Sequence, residues 1–354
     1  MKIVTKYLLF KYLKYFLLIL FSLELFFIGI DLLQNYSKLP QSANLQLLYV
    51  IYNTFFTLTI TLPLSLVFAW IITLTILIKD NELISLHALS ISPKSILKPI
   101  ILISIIITFI LMALQATPLA YSNEQKNKIL KNTYFVNEKS NIFLKYNNYF
   151  VYFKKLYPLE KKATDIHIFK IENNTLIETI IAKKAYYQNN KWYVIDAKVT
   201  NIPSKIDWSK SKIEVLNEKF LYTLEKFEPK IINNVYKSKV QFSIIDAVRT
   251  ILLLDNQNFN TNKIKAILYS QVIMPFFVLP LIVLIFIFIN PSSRFFNAAK
   301  FVSLTIFLSL STWGIIFLLQ KLAFGSVLLA EVAIILPLII LFLITYYLYN
   351  RRIQ

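Results

Sequence analysis

The side chains of this chain that could do chemistry are few and widely spaced. Its 354 residues include no cysteine, two histidines and three glycines. His87 and His167 lie far apart in sequence and in expected compartment, so no histidine-rich metal centre is written here. Without cysteine there is no thiolate nucleophile, no disulfide framework and no Cys-based metal site. Gly29, Gly314 and Gly325 are spaced too widely for a phosphate-cradling loop or a dinucleotide fingerprint. If the protein uses ATP, another chain must hydrolyse it. No His/Glu, Ser/Lys or Asp/Asp pairing is visible on adjacent segments, so no catalytic residue, metal or cofactor is expected.

The remaining candidates are carboxylates in or beside apolar runs. Glu24 sits near the middle of the first run, where an ionised group is costly. Two readings stay open: it faces a cavity or partner helix, or it makes a structural hydrogen bond to a neighbouring Ser or Thr. Glu82 belongs to the stretch 79–93, which lies between two long apolar runs. Asn81 is an expected N-cap there, Glu82 occupies the first turn where the helix dipole favours negative charge, and Pro93 ends the helix. Leu83, Leu86 and Leu89 give it one apolar edge. Such a helix, of roughly ten residues, is too short to be a domain. It either lies on the lipid surface or is gripped by another protein.

The elements that must position these residues follow from composition. The chain is 56% hydrophobic and 15% aromatic, with a mean hydropathy of +0.57. That describes a polytopic membrane protein. Its 38 Lys and Arg against 19 Asp and Glu read as topology signals and attraction to anionic lipid, not as a nucleic-acid surface. The first run, about 15–33, follows Lys2, Lys6, Lys11 and Lys14 and is read as a retained span, because no small-residue cleavage site follows it. Further spans are expected at about 47–78, 99–120, 267–289, 301–319 and 327–349. Short cationic loops place both termini on the cytoplasmic side.

Residues 121–265 change character. Period-two alternation marks strands at 149–153, 165–171, 175–187, 191–196, 212–216 and 219–224, with turn signals at Asn173-Asn174 and Asn189-Asn190. Short strands at this spacing predict an all-β sandwich or jelly roll. Bulky residues on both faces fit an open apolar groove or incomplete burial in a two-layer sandwich. An amphipathic helix at 243–255 is expected at the membrane boundary before re-entry. The fold class is therefore an α-helical membrane protein of six spans, three plus three, around an inserted all-β, jelly-roll-like domain. The divisions are 1–120, with the short helix at 80–92, then 121–265 and 266–354.

This layout resembles the LptF/LptG family of lipopolysaccharide export permeases over essentially the whole chain. Asp80-Asn81-Glu82-Leu83 through His87-Ala88-Leu89-Ser90-Ile91-Ser92 is similar to the family's Ser-Glu-Leu segment and the turn that follows. Asn81 replaces the usual serine there, and Ser90 the usual glycine. Val272-Ile273-Met274-Pro275 and the segment from Leu328 through Glu331 to Pro337 match two more family segments. Ile30-Asp31-Leu32-Leu33 is closer to the LptG branch, although Gln34 and Asn35 stand where lysines are common, leaving Lys38.

The resemblance implies a bacterial inner-membrane subunit that pairs with a sister permease, an LptF/LptG heterodimer. It would be driven by a cytoplasmic LptB-like ATPase dimer and would pass lipopolysaccharide to periplasmic LptC/LptA-like jelly-roll proteins. Glu82, Leu83, Leu86, His87 and Leu89 would then contact the ATPase. Glu24, Asp31 and Lys38, with Tyr152, Phe169 and Trp192 on the strands, would face lipid or cavity. A membrane-anchored envelope scaffold whose β domain recruits partners is the alternative. It needs no ATPase at Glu82.

Overall fold

The structure is a computed structural model that describes residues 2–134, 139–146, 148–158, 160–172, 175–203, 212–225, 227, 241–254, 261–289 and 296–353. Two compact units share the chain. One takes Met1–Leu130, Phe242–Leu252 and Asn260–Gln354, the other Lys131–Gln241 and Leu253–Phe259. Composition places the first boundary at 120/121. Packing moves it to Leu130, because the short polar helix after the third span docks on the second. Expected turns at Asn173-Asn174 and 290–294, and Asp255 at the end of the amphipathic helix, lie outside the described residues.

The helical unit begins with α1 (Lys2–Asn35), α2 (Ala43–Lys79), α3 (Glu82–Ala88), α4 (Pro93–Ala116) and α5 (Ser122–Leu130). After the β unit come α6 (Ile244–Leu254), α7 (Asn262–Val272), α8 (Val278–Ile287), α9 (Ala298–Phe324) and α10 (Leu336–Ile353). Among the described residues, five helices are long and apolar enough to cross a membrane, or six if Asn262–Val272 and Met274–Ile287, bent by 46°, are counted together as one span. The break falls at Ile273, two residues before Pro275, which supplies no backbone donor. A π-helical turn, Glu331–Ile335, leads into α10.

α2 is the axis of this unit. Of its most apolar stretch 72% is buried, against 11–44% for the other single spans. Polar and aromatic anchors fix its neighbours. Trp70 Nε1 donates to the Ile282 carbonyl of α8 at 3.0 Å. Tyr12 of α1 donates to the Leu66 carbonyl at 3.0 Å and shares a hydrogen bond with Ser104 Oγ of α4 at 2.9 Å. Around them Leu8, Phe16, Leu74, Ile100, Phe277 and Ile282 close the core.

The β unit is one six-stranded antiparallel sheet in chain order. Its strands are β1 (Lys139–Tyr146), β2 (Tyr149–Tyr157), β3 (Lys162–Glu172), β4 (Thr175–Gln188), β5 (Lys191–Asn201) and β6 (Glu214–Thr223). β1 has no counterpart among the expected strands; its inward face is Ile142, Leu144 and Tyr146. The two strands expected at 212–216 and 219–224 are one. Asn189 and Asn190 take φ of 47° and 62° between Gln188 and Lys191, a tight hairpin turn with both central residues left-handed.

The two-layer core arises because this single sheet folds over on itself. Phe153 of β2 and Trp192 of β5 are three strands apart, about 14 Å in a flat sheet, yet their ring centroids lie 5.3 Å apart. Tyr146 of β1 stacks at 4.3 Å on Phe227, beyond β6. A crease crosses the sheet where the alternation of inward residues slips. Inward residues are Val151, Phe153, then Leu156 on β2; Ala163, then Ile166 and Ile168 on β3; Ile180, Ala182, then Ala185 on β4; Trp192, Val194, then Ala197 on β5. The flanking register brings Asn141, Lys154, Asp165, Lys183, Asp196 and Lys219 to one level of the six strands. On alternate strands the crease residue is left-handed: Asn141 (φ 55°), Asp165 (φ 50°) and Asp196 (φ 51°). Asn and Asp tolerate that conformation best among residues with a Cβ. Lys154 pairs with Asp165 at 3.3 Å along the row.

The crease makes a stability prediction. Asp196→Val places a β-branched side chain in the left-handed region and is expected to cost about 1–2 kcal/mol, whereas Asp196→Gly is expected to be neutral or better. Chemical unfolding followed by tryptophan fluorescence measures both.

Candidate functional site

The segment after α2 turns at two left-handed residues, one on each side of α3. Asp80 N–H reaches the Ile76 carbonyl at 3.0 Å, and Asn81 N–H reaches that of Ile78 at 3.0 Å. Asn81 then takes φ 58°. Asn81 is the N-cap residue, as expected, but no side-chain cap bond forms there, because its backbone is used to reverse the chain out of α2. α3 runs for seven residues, ending earlier than expected. Ser90 takes φ 58°, with Ser90 N–H on the His87 carbonyl at 2.9 Å and Ile91 N–H on that of Leu86 at 3.1 Å. This bond pair is a Schellman motif, which prefers glycine at the left-handed position. Ser90 keeps the geometry without the glycine.

Glu82 is held from within the chain. Lys11 Nζ of α1 donates to both carboxylate oxygens at 2.8 Å, and Tyr7 O–H donates to Oε2 at 2.8 Å. Lys11 also reaches Tyr7 Oη at 3.1 Å and lies 5.4 Å from its ring centroid. Leu83 is fully buried in the helical core. Leu86 and His87 are half-buried, and Ile84, Ser85, Ala88 and Leu89 are exposed. The outward face of α3 is therefore Ile84–Ala88–Leu89 rather than the Leu83 edge.

At the other end of α1 and α2 lies a buried polar seam. Tyr49, Asn53, Thr57, Thr61 and Ser65 recur every four residues along α2, and all are buried. Glu24 of α1 accepts from Thr57 Oγ1 at 2.7 Å and from Thr61 Oγ1, so its carboxylate lies in the α1–α2 seam. Seven residues on, Asp31 accepts from Tyr49 O–H and pairs with Lys126 of α5 at 2.9 Å. Lys126, only 8% exposed, also donates to Asn53 Oδ1 at 3.0 Å and lies 5.0 Å from the Phe56 ring centroid. The 3-10 turn just before α5 is tied to α6, since Tyr121 O–H donates to Asp246. Burial, and then the Asp246 carboxylate, push the Tyr121 phenol well above its usual range.

The other expected residues are not gathered to these clusters. Lys38 is exposed at the end of a 3-10 turn after α1. Glu331 is 3.9 Å from Lys265 of α7. In the β unit Trp192 is fully buried and donates to the Phe227 carbonyl at 2.7 Å. Tyr152 and Phe169 lie on the opposite face, half-buried beside His167. The three therefore do not share one surface. Lys126 and Tyr7 were not singled out from sequence, and Lys11 entered only among the cations that precede the first span. The four-residue spacing of polar residues inside the second apolar run was the available signal for the seam.

A family model described as lipopolysaccharide export system permease LptF/LptG matches residues 6–351. The chain belongs to that family. No curated protein matches it.

Two variants test this geometry. Lys126→Met leaves Asp31 without its cation and is expected to cost about 2–4 kcal/mol, with Asp31→Asn recovering part of the loss in the double variant. Ser90→Gly is expected to stabilise the turn by about 0.5–1 kcal/mol. Both are read by thermal denaturation of the detergent-purified protein.

Proposed function

We propose, on the premise of that family membership, that the chain is one permease subunit of an ATP-driven exporter. It would lift lipopolysaccharide out of the inner membrane and hand it to a periplasmic β-sheet bridge. The observation that carries this reading is the family match over nearly the full chain. The architecture supports it: spanning helices are interrupted once, by a β unit between α5 and α6. Lipid extraction needs an outside energy source, because each exposed methylene costs about 0.8 kcal/mol. A cytoplasmic ATPase dimer and a sister permease complete the machine in this reading, and a periplasmic bridge protein receives the lipid. The termini and α3 then lie on the cytoplasmic side and the β unit in the periplasm.

α3 is the proposed docking helix for the ATPase. Its exposed face offers Ile84, Ala88 and Leu89 to an apolar groove, with His87 at the margin. Leu83 acts from inside, seating the helix on its own subunit, and Leu86 shares that role through its packing against the core. Lipid contacts are proposed at the Asp31 end of α1, with Lys38 as the exposed cation for phosphate. In the β unit, Tyr152 and Phe169 sample one face of the sheet and Trp192 the other.

Leu89→Asp is the direct test. Replacing an apolar contact in a groove by a charge is expected to weaken ATPase association by tenfold or more, since burying a leucine contributes about 1.5–3 kcal/mol. The readout is ATPase co-purified with the tagged permease, together with lipopolysaccharide export. Undiminished ATPase and export would place the ATPase contact away from α3, whereas a wild-type protein that brings down no ATPase would favour the scaffold.

A further inference from the structure

We infer that Lys11 and Tyr7 of α1 are the mount for α3, holding Glu82 so that the docking helix and the first spanning helix move as one body. The inference rests on the reading of α3 as the docking helix. A helix of seven residues has no stability of its own and takes its orientation from what holds it. Two consecutive residues do the holding. Leu83 is sunk in the core with no exposed surface, and Glu82 receives two contacts from Lys11 and one from Tyr7, all at 2.8 Å. One anchor alone would leave α3 free to swing; two adjacent anchors, one bonded to α1 and one sunk in the core, fix its rotation.

Burial gives the contact weight. The Lys11 side chain is 13% exposed and that of Glu82 29%, so neither is a freely solvated surface charge. Tyr7 binds both partners and keeps the ammonium in register with the carboxylate. The next residue, Tyr12, is hydrogen-bonded to α2 and α4. A displacement of α3 therefore enters α1 at Lys11, beside the point where α1 is fastened to the rest of the unit. Lys11 and Tyr7 are positioning residues: they act on the partner only through α3.

The test is charge exchange in the assembled transporter, in native membranes and in nanodiscs containing lipopolysaccharide. ATPase bound and ATP hydrolysed per lipid exported are measured separately. Lys11→Met is expected to leave the ATPase bound but raise ATP used per lipid by about threefold or more, and Lys11→Arg to stay near the wild-type ratio. Lys11→Glu and Glu82→Lys should each uncouple the complex, while the exchange variant carrying both should recover coupling to within about twofold. Should Lys11→Glu prove silent, or the exchange variant be as poor as Glu82→Lys alone, the mount is overturned.

If the charge-reversed singles fail to insert, the neutral pair Lys11→Met with Glu82→Gln replaces them. It should be no worse than Lys11→Met alone; an additive loss overturns the proposal. The docking reading fails by a different result. Leu89→Asp would then leave ATPase binding unchanged while the exchange variant still restored the thermal stability lost in each single variant.

Discussion

Water is excluded from the sides of α2, and most of the polar groups placed there are answered by other parts of the same chain, Asn53 Nδ2 and Ser65 Oγ being exceptions among the described residues. The rest of the helical unit is arranged around that constraint. Tyr49, Asn53, Thr57 and Thr61 form a stripe that only a helix bearing complementary groups can cover. α1 covers it with Glu24 and Asp31, two helical turns apart, and α5 closes the end with Lys126. An apolar helix could pack against α2 in several registers. One that must bring two carboxylates to two sets of hydroxyl and ammonium donors has a single register.

The same logic explains what was legible beforehand. Spans, the inserted β domain and the family resemblance rest on period and composition, which are local properties of sequence. Glu24 was legible as costly, and its bond to neighbouring threonines was one of the two readings left open. Lys126 was not legible, because its importance comes from a pairing with Asp31 across 95 positions. Asn81 was read as a side-chain cap since asparagine favours that role. The left-handed backbone that it actually supplies is an equally common use of the residue, and nothing local decides between them. β1 was missed although Ile142, Leu144 and Tyr146 alternate inward, because Phe143 between them blurs the polar–apolar pattern that its pairing with β2 resolves.

α3 shows how a surface element can be specified from both sides. Its inward residues, Glu82 and Leu83, are already engaged by the chain. Its outward residues carry little polarity, and the Ser85 hydroxyl is turned back onto the Asn81 carbonyl. Separation of the two faces lets the mount be strong without competing for the groups that meet a partner. It also explains why Leu83, Leu86 and Leu89, grouped by sequence spacing as one edge, end up in three different environments.

The crease in the β sheet constrains how this domain can change by insertion and deletion. Removing the extra residue from one strand would restore simple alternation there and turn half of that strand inside out against its neighbours. The crease spans all six strands at one level, so no single strand can lose it alone. Length variation in a lineage of such domains should therefore collect in the hairpin loops, while strand lengths across the crease change together or not at all.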